Sequence, residues 1–121
     1  MYQGVSTTGT SSIIVQVGAG SVTTSGYVGG ASLGGTPSFN SIGFITAVIP
    51  NAVALLSGVI TLVSFGNNTW NEAGNVQAAA TYNCVVSAGY VTLSGTLDRV
   101  VITTVNGTDT FDAGSINILY E

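Results

Sequence analysis

Apolar and β-branched residues recur along the chain in short runs separated by clusters of Gly, Ser, Asn and Thr. Wherever a period is clear it is two, the repeat of a strand whose side chains alternate between its faces. The clearest run covers 12–17, where Ile13, Val15 and Val17 alternate with Ser12, Ile14 and Gln16. Further strands are predicted over 23–28, 41–49, 55–65, 69–80, 82–93, 97–105 and 115–120. Residues 29–40, rich in Gly and Ser and containing Pro37, read as an irregular loop and therefore as a contact surface. Asn67-Asn68 and Asn106-Gly107 read as tight turns, since Asn and Gly accept left-handed backbone, and Ser94-Gly95 reads as a break. In 55–65, Val59, Thr61, Val63 and Phe65 share one face and Ile60, Leu62 and Ser64 the other, so both faces read as partly buried. No helical period competes, and 17 glycines disfavour helix throughout. The pattern predicts an all-β, jelly-roll-like antiparallel β-sandwich of about eight strands, with residues 1–121 as one domain.

Residues 44–65 carry no charge and are long enough to cross a bilayer as a helix. Against that reading stand the internal Pro50-Asn51, the many β-branched residues and the lack of a flanking Lys or Arg. A strand-turn-strand hairpin is the stronger expectation, without membrane insertion.

Composition sharpens this picture. Charged residues form 5% of the chain, against about a quarter in ordinary soluble proteins, while the mean hydropathy is +0.55. A chain so apolar folds rather than staying disordered, and a surface so poor in charge favours association with copies of itself. Arg99 is the single basic residue, too little to neutralise a run of phosphates, which argues against nucleic acid as a partner. Cys84 has no intramolecular disulfide partner and, within an apolar stretch, reads as a buried inert thiol. Met1 is not followed by a basic region and an apolar run, so no signal peptide is visible.

His and Lys are both absent, which removes the common general base, the commonest metal ligand and any Schiff-base nucleophile. The expectation is a non-enzyme with no cofactor. Of five acids, Glu72, Asp98, Asp109, Asp112 and Glu121, nothing places two across a cleft as a glycosidase requires. Asp109 and Asp112 are weak candidates for a calcium ion. Two carboxylates from one loop are too few for six or more oxygen ligands, and capping of their own turn is favoured.

Asp98 and Arg99, as neighbours on a strand, point to opposite faces, so Arg99 is expected to bond elsewhere. Tyr27, Trp70 and Tyr90 could form a saccharide-stacking platform, although core packing or a subunit interface is favoured for each. Gly29-Gly30 and Gly34-Gly35 lack the Lys and helix of a phosphate cradle. The two Asn-x-Thr sequons, at Asn67 and Asn106, are too common by chance to carry weight.

The segment 93–121, LSGTLDRVVITTVNGTDTFDAGSINILYE, resembles the ending of many virion proteins of tailed phages from marine and other aquatic sources. Residues 4–18, GVSTTGTSSIIVQVG, and 24–28, TSGYV, are similar to the same proteins, whereas 30–53 is only loosely alike. The resemblance implies the C-terminal part of a longer tail-fibre or other virion polypeptide, with a further strand preceding Gly4 of which residues 1–3 are the remnant. A weaker likeness of pattern, from Leu97 through Phe111 to the last apolar run, is to C1q-like and tumour-necrosis-factor-like jelly rolls and points to a homotrimer.

The leading expectation is therefore a fibre module of the virion, extracellular, contacting other virion proteins and a host-surface saccharide or protein. Binding-loop candidates are Gly29, Gly30, Phe39, Asn40, Asn67, Asn68 and Trp70. The alternative is a purely architectural capsid decoration protein or an extracellular filament subunit.

Overall fold

The structure, a computed structural model, describes residues 1–79 and 83–121. Ala80 and Tyr82, placed by the sequence at the ends of two predicted strands, lie outside these. Eleven strands occur among the described residues: β1 (Tyr2–Thr7), β2 (Ile13–Ala19), β3 (Ser21–Val22), β4 (Val28–Leu33), β5 (Thr36–Phe39), β6 (Phe44–Ala47), β7 (Leu56–Gly66), β8 (Thr69–Ala78), β9 (Asn83–Thr92), β10 (Arg99–Thr104) and β11 (Phe111–Ile116). They form an all-β sandwich of two antiparallel sheets. The larger has the order β11-β1-β7-β8-β9-β4-β5; in the smaller, β2 lies between β10 and the pair β3 and β6.

The two outermost pairings are nested in the sequence, β1 with β11 and β2 with β10. Inside them β7, β8 and β9 form a meander in near-continuous register. Asn67 and Asn68 both have positive φ, 49° and 58°, the type I′ geometry that matches the twist of a two-residue hairpin. Gly34 and Gly35, with φ of 55° and 90°, do the same between β4 and β5.

This second hairpin corrects the irregular loop expected over 29–40. Gly-Gly is itself a hairpin turn, and Pro37 is tolerated because β5 is the edge of its sheet, where a missing N–H breaks no ladder. The strand expected over 23–28 is likewise displaced, since pairing begins only at Val28. The last strand ends at Ile116 rather than Tyr120, and Ile118, Leu119 and Tyr120 are exposed. Residues 44–65 form no helix; their strands β6 and β7 belong to different sheets, so they are not a hairpin either. The segment around Pro50 carries the chain from one sheet to the other. No helix among the described residues is long and apolar enough to cross a membrane.

The interior holds two apolar clusters. The larger gathers Val5, Ile13, Ile14, Ile45, Leu56, Val76 and Val85; the smaller is built on Val17, Tyr27, Phe44, Val91 and Leu93, with Trp70 packed against it. Tyr27 and Phe44 meet edge to face at 4.8 Å, the arrangement favoured by aromatic quadrupoles. Leu56 is completely buried in the larger cluster. Leu56→Ala is expected to lower stability by about 2–5 kcal/mol through lost transfer energy and the cavity left behind, read as a lower urea midpoint with an unchanged m-value.

Candidate functional site

The residues singled out for binding fall into three settings. Gly29 and Gly30 lie in β4, paired with Gly89 and Ala88 of β9. Phe39 ends β5 beside Gly30, with 78% of its surface exposed. A Cβ on Gly30 would sit 2.9 Å from the Phe39 ring, so the glycine lets that ring approach the strand closely. Asn40 follows, its Oδ1 accepting from the Ile42 N–H at 2.7 Å, which fixes the turn leading to β6. Gly29, Phe39 and Asn40, together with Tyr27, Val28 and Ser41, line a shallow, open hollow.

Asn67 and Asn68 sit at the tip of the β7-β8 hairpin, and the Asn68 carbonyl accepts from the Leu93 N–H at 2.9 Å. The sheet register links this tip to the hollow, because Asn71 opposes Tyr90 and Tyr90 opposes Val28. Trp70 does not belong with them; it points inward, half-buried against Tyr27, Phe44 and Val91. Tyr27 is buried as well. Its hydroxyl accepts from the Val17 N–H at 2.8 Å and donates to the Thr23 carbonyl at 2.9 Å. Tyr90 faces outward from the larger sheet, so the three aromatics form no common platform.

Asp109 and Asp112 do not converge on a shared point. The Asp109 carboxylate accepts from the Ser11 N–H at 2.9 Å, and its own N–H donates to Asn106 Oδ1 at 3.0 Å. The Asn106 side chain and the Ser11 N–H, bonded to its carboxylate, hold that carboxyl below the usual range. Asp112 accepts instead from the Ser6 hydroxyl on β1. No group of three or more potential metal-ligating side chains occurs among the described residues. Arg99 corrects its expectation by pairing with Asp98, at 2.7 Å. Asp98 precedes β10 rather than lying within it, so strand alternation does not separate the two. Cys84 is exposed on β9, not buried.

Sequence reasoning missed Glu72. Its side chain points between the sheets, 1% exposed, between the two apolar clusters, and accepts from the Ser87 hydroxyl at 2.7 Å. Gly74 makes the room: a Cβ there would lie 2.6 Å from Ser87 Oγ and 2.9 Å from Glu72 Oε1. Burial pushes the Glu72 carboxyl up to about 7, against the pull of the Ser87 bond. Tyr2, bonded to Thr46 at 2.8 Å, is raised to about 12 by burial, with a further push from Glu72. A perturbed carboxyl is often a mark of catalysis, but neither the hollow at Phe39 nor the one between Met1 and Asn117 is lined by Glu72. The alternation of β8 puts Glu72 on the core side, a signal present in the sequence.

No family model, curated protein or solved structure matches the chain.

Two measurements check these assignments. Because the folded Glu72 binds its proton more tightly than the unfolded chain, whose carboxyl titrates near 4.5, its stabilising contribution is full below that pH. It is lost as pH rises through about 7, a change on the order of 3 kcal/mol. Urea midpoints at pH 5 and pH 8 should show it, and Glu72→Gln should flatten the difference. Tyr27→Phe should cost about 1–3 kcal/mol, since it leaves the buried Val17 N–H without its acceptor.

Proposed function

We propose that this chain is a structural module of a phage virion, a β-sandwich that assembles as a homotrimer in a tail or head fibre and presents one end to the host cell surface. The observation that supports this reading is where the phage-like segments fall. Residues 4–18 supply most of β1 and all but the last residue of β2, and 93–121 supply β10 and β11. β1 pairs with β11 and β2 with β10. Tyr27, from the third similar segment, bonds the β2 backbone at Val17. The resemblance thus covers one contiguous frame rather than scattered positions. The loosely similar 30–53 supplies the β5 edge and the exposed Phe39.

In this reading the host-facing end is the hollow at Phe39 and Asn40 together with the Asn67-Asn68 turn. Shallow, uncharged surface with an exposed aromatic suits stacking against a saccharide ring or docking on a protein, and no bond-making step is required of it. A purely architectural role in capsid decoration or a filament is the second reading; it uses the same frame but leaves the Phe39 end without a receptor.

The test is mass by light scattering in detergent-free buffer, followed by binding of the labelled protein to candidate host cells. A soluble species near three times the 12.1 kDa chain mass that binds cells is the expected result. Phe39→Ala should then weaken cell binding about tenfold or more, the loss of a hot-spot aromatic, with the mass unchanged. A trimer that binds no cells favours decoration, and a protein recovered only in detergent overturns both.

A further inference from the structure

β8 and β9 turn every second residue toward the core, and β7 does so with Leu56 buried and Gly58, Ile60 and Leu62 partly covered, so the other half of each strand faces outward. On β7 that half includes Val59, Val63 and Phe65, which are half to two-thirds exposed; on β9 it includes Val86 and Tyr90, about half exposed. Between these apolar stripes runs the outward column of β8, with Asn71, Asn75 and Gln77. The register aligns Val59 with Asn75 and Val86, and Val63 with Asn71 and Tyr90. None of the outward residues on β7, β8 or β9 is charged.

We infer that this face is the surface through which copies of the chain pack on one another, an inference that rests on the trimeric reading above. Three features favour a second copy over other occupants. The first is charge. The chain has a net charge of −4, so like molecules repel, and this face lets them meet without bringing two carboxylates together. The second is area. At ~3.3 Å per residue and ~4.8 Å between strands, the three strands present on the order of 500 Å² in projection. Side-chain relief adds to this, and closure of the ring commits the whole face of each copy, shared between its two neighbours, toward the roughly 800 Å² per partner of a standard interface. The third is the amide column. The Asn71 amide donates to the Gly89 carbonyl at 3.0 Å, but Asn75 and Gln77 would turn their amides toward lipid tails that offer no hydrogen bond, whereas copies of the same column supply both donors and acceptors. Three copies set with β8 toward a common axis place the β7 stripe of each against the β9 stripe of the next, and the ring closes with no stripe uncovered.

The experiment compares wild type with Val63→Arg and Val86→Arg, at half-exposed positions that accept a long side chain without disturbing the core. Val53→Arg, at an exposed site in the turn before β7, serves as the off-face control. The expected result is a trimer for wild type and Val53→Arg, and a folded monomer with an unchanged β-type circular dichroism spectrum for the two face variants. Cys84 lies on the same outward side of β9 and gives a readout without mutation: maleimide should label it at least tenfold more slowly in native wild type than in urea. If either face variant fails to fold, this labelling rate decides. A trimer that survives both substitutions, or whose Cys84 labels as fast as in urea, overturns the assignment of the face and leaves the trimer standing. A monomeric wild type, or one that partitions into lipid vesicles, overturns both.

Discussion

The sandwich is organised around β2. Five of its seven residues are lost from solvent entirely or nearly so, the other two in part. It pairs over six consecutive residues with β10 on one side, and with β3 and β6 on the other. It also contributes to both interior clusters, through Ile13 and Ile14 at one end and Val17 at the other. Parting β2 from its neighbours would therefore expose apolar surface along the whole length of the smaller sheet, at about 25 cal/mol for each Å². The Tyr27 hydroxyl is bonded to its backbone, tying the segment before β4 to the same strand.

A second constraint follows from the scarcity of charge. With almost no ion pairs to draw on, the polar groups inside find neutral or surface partners: Ser87 for Glu72, Thr46 for Tyr2, and the exposed Asp112 for the buried Ser6. No buried side-chain nitrogen or oxygen among the described residues lacks a partner. Glu72 stands apart because its one neutral donor offsets only part of the cost of burial, and Gly74 and Gly89 narrow the sheet on either side of it.

Much of this was legible in the sequence. The period of two gave β2 and the β7-β9 meander to within a residue or two at most ends, and Asn67-Asn68 and Asn106-Gly107 turned where their chemistry said they would. Short β4, with two glycines, and β5, just after a Gly-Gly turn, were hidden because Gly29, Gly30, Gly34 and Gly35 signal a loop more strongly than Ala31 and Leu33 signal a strand. Val59, Val63 and Phe65 were assigned to one face correctly, but apolar character alone does not tell a buried face from one left outward. That distinction depends on which sheet covers which, and β6 and β7 parting to different sheets could not be read locally. The pairing of Phe39 with Gly30, which forms the hollow, arises from the same hidden hairpin.

Pro37 has a consequence for growth of the sheet. β5 is an edge, and an edge strand with free N–H and C=O groups is a template on which further strands can add without limit. With a proline in a strand of four residues, one rung of that template has no donor and the rest is too short to hold a long newcomer. Crowded side by side, as subunits of any dense assembly are, such molecules are turned away from ribbon-like polymerisation at this edge, and finite contacts between faces are left to compete.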